Sequence, residues 1–239
     1  MPEVSAARSD SVTRWLLRCG VVAGPVFVAT FLVDGATRPG YQPLRHPVSS
    51  LSLGTRGATQ VTNFAVTGAL YAAAAAGLSR AAGSLAGTAA GPGRAGPGRA
   101  GVAAAAATAA GLMGAAAFRT DPVSGYPAGS PDTTVPPSRA GTAHILMSTG
   151  VFLGLPAAAL GAGVRALRHG QTGWGLYGVG TAVSMLAAAV TAGSGFSQSP
   201  RLVGVAGLFQ RVSIVTGFAW LTALAGRSLS QLGARPPQP

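Results

Sequence analysis

The sequence contains very little charge. Lys, Arg, Asp and Glu together make up 9% of its 239 residues, whereas an ordinary soluble domain has about 25%. It has no lysine, so the net charge of +12 comes from 17 arginines and five acids. Hydrophobic residues make up 48%, and the mean hydropathy is +0.41. So few charges cannot cover a water-soluble surface, which indicates that lipid is the solvent.

Other scarcities exclude whole classes of function. Cys19 is the only cysteine, which excludes an intramolecular disulfide and a cysteine-based zinc cluster. The arginines lie between apolar stretches and form no basic face interleaved with aromatics, so we expect no nucleic-acid partner. The sequence has no Walker motif, no GxGxxG before a helix and no HExxH, which argues against nucleotide binding and metalloprotease chemistry. We therefore expect no cofactor and no metal site.

Six apolar stretches are long enough to cross about 30 Å of hydrocarbon, which takes roughly 20 helical residues. They predict an all-α fold, a polytopic membrane bundle of six transmembrane helices forming one domain over residues 15–229. An N-terminal tail (1–14) and a disordered C-terminal tail (230–239) flank the domain. The Gly/Pro/Arg segment at residues 79–100, which contains GPGRAGPGR, predicts a flexible linker. Pro25 and Pro156 fall within spans and predict kinks. The predicted spans are 16–33, 61–78, 101–118, 140–164, 174–196 and 204–226.

The distribution of arginine predicts the orientation. An even number of spans puts both termini on one side, together with ten of the arginines, and leaves seven on the other side. The positive-inside rule then places both termini in the cytoplasm. We expect a multi-pass protein of the cell (plasma) membrane.

The first loop carries a distinctive sequence, RPGYQPLRHPVSSLSLG at residues 38–54. It resembles the signature of a bacterial and archaeal membrane family called domain of unknown function 998, in which an RPGY-type loop after the first helix leads to a Ser-Xaa-Leu segment. Further similarities are the FRTDP segment (118–122), His144, the pair Gln210-Arg211, and Trp220. The resemblance covers residues 16–229 and implies a six-helix membrane domain, but no particular activity.

Most of the polar groups that could do chemistry lie at one end of the predicted bundle. Ionisable groups near membrane depth usually pair or serve a site, so their convergence predicts an outward-facing pocket. The catalytic candidates are His144, Asp121 and Asp34, and the ligand-binding candidates are Arg38, Tyr41, His46, Ser49, Gln210 and Arg211.

Each candidate also has a purely structural interpretation. Asp34 and Arg38 are four residues apart and can form an ion pair at a helix end. Asp121 precedes a proline and can shape a turn. His144 can make an interhelical hydrogen bond, and Arg211 can extend to the membrane surface. His46 stands beside a proline in the loop.

The sequence leaves several functions open. The first hypothesis is a bundle of unassigned activity that binds membrane lipid, or a lipid-like or small apolar ligand, in this pocket. An alternative is a membrane-embedded enzyme that uses His144 with Asp121 or Asp34. In one version Ser49 or Ser50 is the nucleophile. In another version Arg38 and Arg211 bind a lipid phosphate while His144 does acid–base chemistry. Further alternatives are a small transporter, which the scarcity of polar groups within the spans argues against, and an accessory membrane subunit. The sequence does not determine the oligomeric state.

Overall fold

In a computed structural model, residues 2–86 and 98–234 are described, and this part of the chain is all-α without strands. Two of its helices, Arg139–Thr149 and Leu155–Arg168, are joined by a π-helical turn, Gly150–Gly154, and together make one span. Six spans are long and apolar enough to cross a membrane, which confirms the predicted fold class. The helices are α1 (Pro2–Thr37), α2 (Gly57–Ala86), α3 (Gly98–Ala117), α4 (Arg139–Thr149), α5 (Leu155–Arg168), α6 (Thr172–Phe196) and α7 (Ala206–Gly233).

The helices are longer than the predicted spans, because hydropathy detects the part in the bilayer and not the helix ends. Helix α1 begins at Pro2, within the segment predicted as an N-terminal tail, and α7 ends at Gly233, within the segment predicted as a disordered tail. Both segments are therefore partly helical. Helix α2 continues to Ala86 and α3 begins at Gly98, so the prediction of a flexible linker was wrong at both ends of 79–100. The middle of that segment, 87–97, lies outside the described residues.

The π-helical turn lies directly before Pro156. Proline has no backbone N–H and its ring clashes with the carbonyl four residues earlier. A widened turn at 150–154 accommodates it, so the local irregularity is a π-turn within a continuous span. Such turns are rare and are frequently found at functional sites.

Small residues let the helices approach closely. A Cβ at Gly20 would lie 2.9 Å from the Cβ atoms of both Ala74 and Ala225, so α1, α2 and α7 meet at this position. Lipid tails provide no hydrophobic drive between helices, and close backbone approach supplies the attraction instead. Nearer the loops the same three helices meet through aromatic rings, with Phe27 5.7 Å from Phe64 and 5.2 Å from Phe218.

Contacts between connections define the two ends of the bundle. At the terminal end, Arg14 of α1 donates to the Leu232 carbonyl of α7 at 3.5 Å, and Arg227 donates to Gln171 at 2.9 Å. At the opposite end, the connections 38–56 and 118–138 pack on one another. We call these two segments the loop cap.

Candidate functional site

A cluster of ion pairs attaches the first segment of the loop cap to the end of α1. The Asp34 carboxylate, 2% exposed, lies 2.5 Å from the Arg38 guanidinium and 2.8 Å from that of Arg56. Arg38 also donates to the backbone carbonyls of Leu51, Leu53 and Arg56 at 3.0 to 3.1 Å. Since every partner of Arg38 belongs to α1 or the loop, this arginine holds the loop in place.

A second arginine anchors the same loop to the last span. Arg211 of α7 is 8% exposed and donates to the carbonyls of Pro43, His46 and Gly207 at 2.5, 3.1 and 2.9 Å. It also donates to the Tyr41 hydroxyl at 2.5 Å, and its guanidinium lies 5.6 Å from the Tyr41 ring centre. Among the described residues Arg211 forms no ion pair with a carboxylate. Its charge is balanced by carbonyl oxygens and an aromatic face.

Tyr41 connects Arg211 to a later part of the same loop. Burial raises the pKa of its hydroxyl, although the neighbouring Arg211 charge opposes the shift. The hydroxyl therefore stays protonated, donates to the Pro47 carbonyl at 2.9 Å and accepts from Arg211. Tyr41 thus acts as a structural link in the loop cap.

His46 joins the two segments of the loop cap. Its Nδ1 accepts from the Gln42 backbone N–H at 2.9 Å, so the ring proton is on Nε2, which donates to the Ser124 carbonyl at 3.2 Å. Burial lowers the pKa of His46, because the charged ring is poorly solvated there. Arg45 strengthens the junction by donating to the same carbonyl at 3.3 Å and pairing with Asp132 at 2.5 Å.

Asp121 sets the start of α4. Its Oδ2 accepts from the Ser138 backbone N–H at 2.8 Å, and the Ser138 hydroxyl caps the helix by accepting from the Gly141 N–H at 3.0 Å. A Cβ at position 141 would overlap the same Asp121 oxygen, so a larger residue there requires the carboxylate to move. This arrangement fixes His144, which follows one turn later.

His144 lies beside a cavity beneath the loop cap. The ring is 5% exposed, its Nδ1 hydrogen-bonds with the Phe118 carbonyl at 2.9 Å, and its plane meets the Phe64 ring edge-on at 6.2 Å. The cavity has a volume of about 50 Å³ and lies between the first, second, third, fourth and sixth spans. Its polar lining residues are Ser49, His144, Ser148 and Gln210, and its aromatic lining residues are Phe27, Phe64, Phe152 and Phe218.

The predicted site residues therefore divide into two groups. Ser49, His144 and Gln210 share the cavity, and the Gln210 Oε1 accepts from the Val48 backbone N–H at 2.7 Å. The others lie in or next to the loop cap and bind protein groups, namely Asp34, Arg38, Tyr41, His46, Asp121 and Arg211. The two groups are neighbours, but the charged members do not line the cavity.

Sequence reasoning missed the π-turn and Ser148. Ser148 lies one helical turn after His144 and lines the cavity with it, and its hydroxyl donates to the His144 carbonyl at 2.8 Å. The i, i+4 spacing of the two residues was an available signal. The cluster Gly150, Gly154 and Pro156 was a signal for an irregular turn.

A second, wider groove lies between α2 and α3 at the loop-cap end. Its volume is about 370 Å³, and small side chains such as Ala58 and Ala116 line it together with the exposed Arg119. The part of the chain that the structure describes contains no group of three His, Cys, Asp or Glu side chains placed to hold a metal.

The chain was compared with protein families, curated proteins and solved structures. The family model described as "Protein of unknown function (DUF998)" matches residues 21–227. None of the curated proteins and none of the solved structures matches the chain.

Proposed function

The chain belongs to the DUF998 family, whose function is unknown, and from this premise we propose that it binds a lipid-like or small apolar molecule in the cavity beneath the loop cap. The observation that carries the proposal is the cavity itself, which has phenylalanine walls and polar groups from Ser49, His144, Ser148 and Gln210. An apolar hollow with a few convergent polar groups is the usual form of a small-molecule site.

The packing around the cavity supports access from the bilayer. Helix α4 packs on α3 and on its own continuation, whereas within the described chain it has no extensive packing against α7. The cavity lies between these two helices, and Phe152 and Gln210 at its wall are half-buried. A molecule dissolved in the membrane can therefore reach it laterally, between α4 and α7.

Binding is better supported than catalysis. His144 lies near Ser49 in the cavity, but the two carboxylates considered as its partners make other contacts. Asp121 accepts from the Ser138 N–H, and Asp34 pairs with two arginines. A serine hydrolase needs a group that orients its histidine, and among the described lining residues no carboxylate does so.

We also propose that both termini are cytoplasmic, because the terminal side carries ten of the seventeen arginines. The loop cap and the cavity would then lie in the outer half of the membrane. Such a position suits a ligand that arrives from the outer leaflet.

The proposal can be tested by filling the cavity. Leu112→Phe adds three carbon atoms to a buried residue that lines this cavity and not the groove between α2 and α3. Leu146→Phe adds the same atoms at an exposed position of α4. Each variant is purified in mild detergent, and the apolar molecules that co-purify are extracted and quantified by mass spectrometry.

We expect wild type and Leu146→Phe to carry a molecule in fixed ratio to protein, and folded Leu112→Phe to lose it. Equal amounts in all three proteins would refute the proposal. Absence of any such molecule from wild type would also refute it, and would favour an accessory role.

A further inference from the structure

We infer that the ligand of this cavity, if the proposed function holds, is an uncharged molecule with a hydroxyl head and an apolar tail, such as a long-chain or isoprenoid alcohol. Among the described residues that line the cavity none carries a formal charge. A charged head placed there would have no counter-ion in a medium of low dielectric constant, which is strongly unfavourable.

The nearest arginines do not change this conclusion. Arg38 donates to the Asp34 carboxylate and to three loop carbonyls. The terminal nitrogens of Arg211 donate to three carbonyls and the Tyr41 hydroxyl. To bind a phosphate, Arg38 would have to release the loop that it holds. The Nε of Arg211 has no hydrogen-bond partner among the described residues, but Arg211 does not line the cavity. A phosphorylated ligand is therefore disfavoured.

The neutral polar groups of the cavity determine which uncharged head fits. Gln210 accepts from the Val48 N–H through Oε1, and its amide nitrogen has no partner among the described residues, so it can donate to a ligand. The Ser148 hydroxyl donates to the His144 carbonyl, so its oxygen can accept. A hydroxyl both donates and accepts and satisfies both groups. A ketone or ester carbonyl could only accept, so it would pair with the Gln210 amide and leave the Ser148 oxygen without a donor.

The volume determines how much of the ligand is enclosed. About 50 Å³ corresponds to roughly two water molecules at about 30 Å³ each. The hydroxyl head and the first one or two carbons fill this space, and the remaining tail must lie outside the cavity. Helices α4 and α7 have no extensive packing against each other within the described chain, and Phe152 at the cavity wall is half-buried, so we place the exit of the tail between these helices. A linear tail fits this path better than a bulky ring system.

The test uses the full chain in lipid nanodiscs with a photoactivatable diazirine-labelled tetradecanol as the probe. Three unlabelled competitors share one chain length, namely tetradecanol, tetradecyl phosphate and tetradecyltrimethylammonium. Crosslinked peptides are identified by mass spectrometry. We expect labelling near His144 and Phe152, competed by the alcohol at concentrations about tenfold lower than by either charged compound.

The outcomes separate this inference from the proposed function. In one outcome the probe crosslinks in the cavity, but tetradecyl phosphate or the ammonium compound displaces it as effectively as tetradecanol does. That result would refute the inference of a neutral head but would still support the binding site. Labelling confined to the lipid-facing surface, with no competition, would refute both.

A variant tests the assigned donor separately. Gln210→Glu keeps an oxygen that can accept from the Val48 N–H but replaces the amide donor with a carboxylate. We expect about tenfold weaker competition by tetradecanol and stronger competition by the ammonium compound. Gln42→Glu, at an exposed loop position, is the matched control and should behave as wild type. Unchanged competition in folded Gln210→Glu would refute the role of Gln210 as donor.

Discussion

Gly141 occupies a position where the addition of one methyl group would disturb the start of α4. In Gly141→Ala the new Cβ would overlap Asp121 Oδ2, at about half of an ordinary van der Waals separation. Helix backbone cannot yield easily, so the carboxylate must move. That movement breaks its hydrogen bond with the Ser138 N–H, which is 2.8 Å long, and loosens the N-cap of the helix.

The magnitude follows from the contacts that are lost. A hydrogen bond to a charged group contributes about 1.5–3 kcal/mol, whereas replacing glycine by alanine within a helix returns up to about 1 kcal/mol. We therefore expect Gly141→Ala to lower the free energy of unfolding by about 1–2 kcal/mol. For a chain of this length that corresponds to a melting temperature lower by roughly 2–8 °C.

The assay is thermal unfolding in detergent micelles, with two comparison variants. Gly161→Ala in α5 is the matched control, because a Cβ there meets no atom within 4 Å, and it should be as stable as wild type or slightly more so. In Asp121→Ala the carboxylate is absent, so adding Gly141→Ala to it should be neutral or slightly stabilising. If Gly141→Ala has the same melting temperature as Gly161→Ala, the expected clash with Asp121 is refuted. It is also refuted if the destabilisation by Gly141→Ala is as large in the Asp121→Ala background as in wild type.

Three other predictions concern the loop cap and the orientation. Arg211→Lys should lower the free energy of unfolding by about 3 kcal/mol, because an ammonium group cannot reach the three carbonyls and Tyr41 together. Thermal unfolding measures the loss, and the control Arg201→Lys, at an exposed position, should have no effect. Burial lowers the folded-state pKa of His46, so the unfolded chain takes up the proton first, near pH 6.5. The stabilisation that the neutral His46 ring provides is thus complete above that pH and is lost as the pH falls below it. Wild type should lose more stability than His46→Gln between pH 8 and pH 5. Equal losses in the two proteins would contradict the lowered pKa of His46. In a Cys19→Ser background, a membrane-impermeant thiol reagent should label Ser130→Cys in intact cells and Ser11→Cys only after permeabilisation; the reverse pattern would invert the proposed orientation.

The fold class could be predicted from sequence because a bilayer imposes strong local constraints. Each spanning segment must satisfy its own backbone hydrogen bonds, so roughly 20 apolar residues in a row specify a helix without knowledge of the rest of the chain. The first loop was equally informative about the family, since the motif at residues 38–54 lies within the matched region. The helix ends were less predictable, because α1 and α7 continue past the apolar segment that hydropathy detects.

The arrangement of the polar groups was decided by tertiary structure. Arg211 is 165 residues from His46 in the chain, and Asp121 is 17 residues from Ser138. Which of these side chains hold the loop cap and which reach the cavity depends on how α3, α4 and α7 are rotated and packed, and Gly and Ala spacing does not encode that rotation uniquely. The sequence alone therefore determined a six-span bundle with a polar end. Only the packing of the helices separated the charged residues, which the loop cap engages, from the neutral residues that line the cavity.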